Sequence, residues 1–149
     1  MVWLPHGEVW KLKKVLYGLR SGPKKWGEHR DQLLKELVVE QDGMKATLEQ
    51  TSSCKNVWLV RDQEGNIVAR LMVYVDDVLI TGPESWISTI MKGFQSLWEC
   101  KIGGILGLDV TDLNFLGMTL EYQVEGDVQR LTMHQKKYIL SKLEKRGLL

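Results

Sequence analysis

Apolar and polar positions change period several times along this 149-residue chain. Over residues 1–23 short apolar pieces are broken by Pro5, Gly7, Gly18, Gly22 and Pro23, which reads as loop and extended chain. Ser21 then stands as an N-cap with Pro23 in the first helical turn. A helical period follows to about Val38, with Trp26, Arg30, Leu33, Leu34 and Leu37 on one side. Residues 41–55, QDGMKATLEQTSSCK, are polar and read as irregular. Three strand-like runs come next: Val57 to Arg61, Ile67 to Val75, and Val78 to Thr81. The first two are joined by DQEGN, where Gly65 and Asn66 supply the bend. Asp76 and Asp77 thereby mark the tip of a tight hairpin between apolar strands.

From Pro83 to Trp98 the pattern is that of an amphipathic helix, with Trp86, Ile87, Ile90, Met91, Phe94, Leu97 and Trp98 on one stripe. KIGGILGLDVTD is a glycine-rich connector. LNFLGMTLEYQVEGDVQRLTM reads as one hairpin turning at Glu125-Gly126-Asp127. Thr132 to Gln135 matches a capping box, and the last helix carries Tyr138, Ile139, Leu143 and Leu148. Helix, strands, helix, hairpin, helix predicts an α+β fold with helices on one face of an antiparallel sheet.

Composition adds less. The chain is 44% hydrophobic and 26% charged, ordinary for a core-forming domain. Its formal net charge of +1 gives the whole molecule no strong pull on polyanions. The charge is uneven, however. Between Trp10 and Arg30 lie Lys11, Lys13, Lys14, Arg20, Lys24, Lys25 and Arg30 against Glu28 alone. Such a stretch is either a solvated surface or a contact for a phosphate backbone. Cys54 and Cys100 lack metal-site spacing and read as free thiols of a reducing compartment. No apolar run is long enough to span a membrane and no signal peptide is evident, so the expectation is an intracellular protein, cytoplasmic or nuclear. Most of the six tryptophans are expected to anchor the core. His6, His29 and His134 are too scattered for a zinc site, and Gly103-Gly104-x-x-Gly107 is too loose for a dinucleotide loop.

The adjacent carboxylates of Asp76 and Asp77 are the sharpest chemical signal. Two neighbouring negative charges resist burial, and a turn between buried strands keeps them wet and rigid. A plain turn would serve as well, since Asp is common there. The alternative use is a divalent-metal site for phosphoryl transfer, because hard cations take carboxylate oxygens and share phosphate ligands.

Taken in order, four blocks resemble the reverse transcriptase of copia-type retrotransposon polyproteins. VWKLKKVLYGLRSGPKKW is similar to that family's Lys-Leu-x-Lys-x-Leu-Tyr-Gly-Leu-Lys-Gln-Ala-Pro-Arg-x-Trp segment. LMVYVDDVLITG resembles its Tyr-Val-Asp-Asp hairpin, NFLGMTLEY its Phe-Leu-Gly-Ile-x-Ile block, and LTMHQKKYILSKLEKRGLL its Leu-Ser-Gln-x-Lys-Tyr-Ile helix. The likeness runs from about Val9 to the C-terminus.

The resemblance implies a polymerase palm-like antiparallel sheet and RNA-directed DNA polymerase chemistry with two Mg²⁺ (or Mn²⁺) ions. It divides the chain into a remnant at 1–8, a partial palm at 9–123, and a return strand with a helix leading toward a thumb at 124–149. Asp76 and Asp77 would be the metal-binding, catalytic carboxylates. Tyr17, Gly18, Leu19, Arg20, Ser21 and Tyr74 would contact nucleotide or template. Phe115, Leu116 and Gly117 would position the primer end, and Lys11, Lys13, Lys14, Lys24 and Lys25 would meet the nucleic-acid backbone. The implied partners are an RNA template, a DNA primer, deoxynucleoside triphosphates, and an upstream palm and fingers segment that brings a further aspartate. Pro5-His6-Gly7 resembles the Pro-x-Gly that follows that strand, so the chain is expected to lack the fingers and the first palm strand. Ser21 stands where the family has Gln, and its shorter side chain reaches less far toward a nucleotide. The other readings are a catalytically dead retrotransposon remnant that at most binds nucleic acid, and a small structural α+β domain.

Overall fold

The computed structural model describes residues 2–3, 5–11, 13 and 18–148. Two short strands, β1 (Val2–Trp3) and β2 (Val9–Trp10), pair near the N-terminus. Helix α1 spans Gly22–Glu36 and is followed by β3 (Val38–Gln41), β4 (Met44–Gln50), β5 (Val57–Asp62), β6 (Ile67–Tyr74) and β7 (Asp77–Thr81). Helix α2 (Glu84–Leu97) leads to β8 (Asp112–Phe115), β9 (Met118–Glu125), β10 (Val128–His134) and helix α3 (Lys136–Glu144). Strands β3 to β7 form one antiparallel sheet in chain order, and β8 to β10 form a second. The α+β class is as the sequence predicts.

The core follows from the two-residue period of the strands. Val39, Ala46, Leu48, Trp58, Val60, Ala69, Leu71 and Val73 are buried and share one sheet face. The register lines them up: Leu48 opposes Val60, Val60 opposes Ala69, and Trp58 opposes Leu71. Leu34 and Leu37 cover this face from the α1 side, and Trp86, Ile90 and Phe94 cover it from α2. The α1 and α2 stripes read from sequence are therefore the ones that face the core. Gly93 lets α2 approach β3 closely, since a Cβ there would lie 3.1 Å from the Val39 side chain.

Several expectations are corrected. Residues 41–55 are irregular only over 51–55; Gln41 belongs to β3 and Met44–Gln50 form β4. They turn at Asp42-Gly43, both with positive φ (52° and 80°), the Asp-Gly pattern of a tight hairpin. The region around Asn114 holds two hairpins rather than one, because Leu116-Gly117 is itself a turn, with φ values of 52° and 76°. Thr132 makes no capping box. It lies in β10 opposite Glu121, and Gln135 is the N-cap without a side-chain bond. The first-turn amide of Lys136 instead donates to His134 Nδ1 at 3.3 Å, while His134 Nε2 meets Glu121 at 2.9 Å. Ser21 does occupy the N-cap of α1, but its hydroxyl caps nothing. The first helix ends at Glu36 rather than Val38, and the hairpin tip is shorter than expected because β7 already begins at Asp77.

Trp58 and Trp86 are core anchors, whereas Trp26 and Trp98 are half-buried. The last helix, α3, buries none of its residues. Among the described residues no helix is long and apolar enough to cross a membrane.

Candidate active site

Asp76 and Asp77 sit where the sequence places them. Tyr74 and Asp77 pair across the turn, with Val75 and Asp76 between them. Both carboxylates are exposed, so their mutual repulsion is screened by water. The strands that carry them are well anchored, since Leu71 and Val73 of β6 are buried against the helices. A rigid base with a wet tip results from apolar alternation ending abruptly in two acids.

The turn is also tied to α1. The Val75 carbonyl accepts hydrogen bonds from Trp26 Nε1 at 3.1 Å and from Arg30 Nη1 at 3.0 Å. Arg30 is buried, and its Nε and Nη2 donate to Asp31 Oδ1 at 2.9 and 2.6 Å. The sequence places Trp26 and Arg30 on a helix face and also counts Arg30 in the basic stretch, from which its burial against Val75 and Asp31 now removes it. Nothing local marks a contact that spans 45 residues, although an arginine on an otherwise apolar stripe is itself a signal.

A groove of about 760 Å³ runs beside the tip. Asp76, Asp77 and the edge strand β7 form one side, Ile87 and Phe94 of α2 another, and Leu113 and Phe115 of β8 a third. β7 has no partner on its outer edge among the described residues. The groove is mostly apolar with acids at one end.

The other sequence candidates are spread more widely. Phe115 is buried and lines the groove, whereas Leu116 and Gly117 form the exposed β8–β9 turn outside its lining. Tyr74 is exposed on the sheet face opposite the core. Gly18, Leu19, Arg20 and Ser21 are exposed ahead of α1, where the Gly22 amide donates to the Leu19 carbonyl at 2.8 Å. Lys11, Lys13, Lys24 and Lys25 are exposed, with Lys24 near Glu28 at 3.9 Å. Lys14 and Tyr17 lie outside the described residues. The structure thus joins Asp76, Asp77 and Phe115 along one groove and leaves Lys11, Lys13, Lys24 and Lys25 outside its lining.

The sequence profile of the reverse transcriptase (RNA-dependent DNA polymerase) family matches residues 5–149. The chain belongs to that family. Its relatives are copia-type. It is 31% identical over 92% of its length to the retrovirus-related Pol polyprotein from transposon TNT 1-94 of Nicotiana tabacum. It is 27% identical over 95% of its length to the corresponding polyprotein from transposon RE1 of Arabidopsis thaliana. A putative transposon Ty5-1 protein of Saccharomyces cerevisiae is 27% identical over 88% of the chain. The chain spans 9% and 8% of the two plant polyproteins and 36% of the yeast protein. No solved structure matches it.

As a reverse transcriptase domain, the chain raises the question of metal. The exposed carboxylates are hard oxygen donors of the kind Mg²⁺ takes. Donor number is the shortfall, because no cluster of three or more His, Cys, Asp or Glu side chains suited to a metal occurs among the described residues. The pair fits one side of a site and does not fit a whole one.

Proposed function

We propose that this chain is the part of a copia-type polymerase palm that presents Asp76 and Asp77 to template-directed DNA synthesis, the remaining carboxylate coming from a segment that precedes it in the family. The observation that carries this is the exposed acid pair on a short turn of a deeply anchored hairpin, in a chain of this family. The ions, when bound, supply charge neutralisation at the transferred phosphoryl group. The residues of this chain do the rest. Asp76 and Asp77 hold cation ligands in place, β6 and the α1 contacts fix their direction, and the unpaired β7 edge with its apolar groove suits an added strand. Phe115, which lines the groove, and the Leu116-Gly117 turn that follows it are the candidates to position a primer. Tyr74 and residues 18–21, with Tyr17 from sequence, are the candidates to meet nucleotide or template. Lys11, Lys13, Lys24 and Lys25, with Lys14 from sequence, are the candidates to touch phosphate, by charge alone.

A second reading, a remnant that only binds nucleic acid, is favoured by the missing third ligand among the described residues. The two separate on metal placement. Fe²⁺ substituted for Mg²⁺, followed by peroxide, cuts a polypeptide next to the bound ion. The palm reading predicts cuts close to Val75–Val78 that vanish in Asp76→Asn and Asp77→Asn. Cuts elsewhere, or none, favour the remnant. Salt-dependent binding of a primer–template duplex that survives in those variants but is lost when the five lysines become Gln belongs to either reading.

A further inference from the structure

Valine is an odd residue for the tip of this hairpin. Val75 has φ +52°, a left-handed conformation in which a β-branched side chain crowds its own backbone. Its side chain is 50% exposed, so burial does little to hold it there. Its carbonyl oxygen is the better anchor. That oxygen has two lone pairs, and Trp26 Nε1 and Arg30 Nη1 donate to it at 3.1 and 3.0 Å. The donors are four residues apart on α1, so one helix face presents both.

Each donor is itself held. The Arg30 guanidinium is pinned by Asp31, whose second oxygen accepts from Gln50 Nε2 at 3.1 Å, and that amide also donates to the Lys55 carbonyl at 2.7 Å. The Trp26 ring stands edge-on to Trp98, with centroids 6.0 Å apart, and Trp98 in turn leans on Phe94 of the core. The turn is thus fastened, through two side chains of α1, to the sheet loop at Lys55 and to the aromatic edge of the core.

We infer that Trp26 and Arg30 are positioning residues: together they latch Val75 in its left-handed form and so set the direction in which the next two residues, Asp76 and Asp77, present their carboxylates. The inference rests on the metal-binding reading of that pair, but the latch and the metal can fail separately. A left-handed Val75 released from its two donors relaxes toward the ordinary region. Because Asp76 and Asp77 follow it directly in the chain, their carboxylates turn with it.

The test uses the whole chain, isotope-labelled, in four forms: wild type, Trp26→Phe, Arg30→Lys, and Trp26→Phe combined with Val75→Gly. Trp26→Phe keeps an aromatic ring and removes only the indole donor. Two quantities are read: amide exchange at Tyr74 and Asp77, and the Mn²⁺ concentration that half-broadens the resonances of the tip. Loss of one hydrogen bond of ordinary worth predicts about tenfold faster exchange at the tip, with Leu48 and Val60 in the core sheet unchanged. The Mn²⁺ midpoint should rise severalfold. Glycine adopts positive φ freely, so adding Val75→Gly should slow the tip again. A role limited to general stability would instead speed exchange in the core and the tip together, and glycine would not reverse it. Tip exchange unchanged in both Trp26→Phe and Arg30→Lys overturns the latch. Mn²⁺ broadening that is indifferent to Asp76→Asn and Asp77→Asn overturns the metal reading, and the exchange rates then decide the latch alone.

Discussion

Replacing Arg30 by methionine removes the guanidinium and keeps much of the stem. In the folded chain this side chain is 11% exposed and bonds both the Val75 carbonyl and Asp31 Oδ1. The carbonyl keeps Trp26 as a donor, and Asp31 keeps Gln50 on its other oxygen, so neither partner is fully orphaned. Deleting one member of a buried ion pair costs about 3–5 kcal/mol. Asp31 is 24% exposed, so water recovers part of that, and the loss of a well-desolvated arginine refunds a little more. We expect destabilisation of about 2–3 kcal/mol, mostly from the stranded carboxylate and the weakened carbonyl. Urea unfolding followed by far-ultraviolet circular dichroism measures it, with the slope against denaturant unchanged. Adding Asp31→Asn removes the stranded charge and should regain about 1 kcal/mol. A loss below about 0.5 kcal/mol for Arg30→Met, the range of ordinary surface changes, would show that the guanidinium holds neither partner.

Trp58 is fully buried and its indole N–H has no partner among the described residues. Trp58→Phe therefore trades a cavity of about 40 Å³, worth roughly 1 kcal/mol, against relief of an unsatisfied donor worth about 1–3 kcal/mol. Its unfolding free energy should stay within about 1 kcal/mol of wild type, and a loss of 3 kcal/mol would show that the N–H is satisfied after all. Asp62 accepts from the Asn66 side chain and from the Glu64 and Asn66 amides. These bonds, the Asn66 side chain foremost, hold its carboxyl below the ordinary 3.8. The folded form then binds fewer protons than the unfolded one, so Asp62 contributes stability above about pH 3.8 that fades as pH falls through its lower folded value. Asp62→Ala should flatten the acid limb of the stability profile, and an unaltered limb would count against it. Asp76→Asn and Asp77→Asn, on an exposed tip, should each leave metal-free stability within about 0.5 kcal/mol. A clear loss in both would mark the pair as a purely structural turn.

The parts of the fold that repeat were legible in the sequence. The α2 stripe and the alternation of β5 and β6 specify the core because burial obeys a helical or two-residue period. What the pattern reading missed were turns whose neighbours are polar. Asp42-Gly43 was available as a hairpin signal but sat between strands, β3 and β4, whose outward residues Glu40, Lys45 and Glu49 hide the alternation of Val39, Ala46 and Leu48. Leu116-Gly117 was hidden for another reason: a leucine with positive φ is no turn signal, and only the glycine after it hints at the bend. The acid pair was legible because charge interrupts an apolar run. Its link to Trp26 and Arg30 was not, since the helix and the turn meet only when the sheet is built. The capping box failed because β10 extends through Thr132, so pairing with Glu121 took precedence over capping.

The most direct test of the account joins a family-like upstream segment carrying the further aspartate ahead of residue 1 and measures primer extension on an RNA template with Mg²⁺. Residues 1–149 alone offer two neighbouring carboxylates and no third metal ligand beside them among the described residues, and phosphoryl transfer rests on positioning and charge stabilisation. This chain alone should give no detectable extension, the joined protein should extend the primer with Mg²⁺, and Asp76→Asn should remove that activity. Robust extension by residues 1–149 alone, or extension by the joined protein that survives Asp76→Asn, would contradict the role proposed for the acid pair.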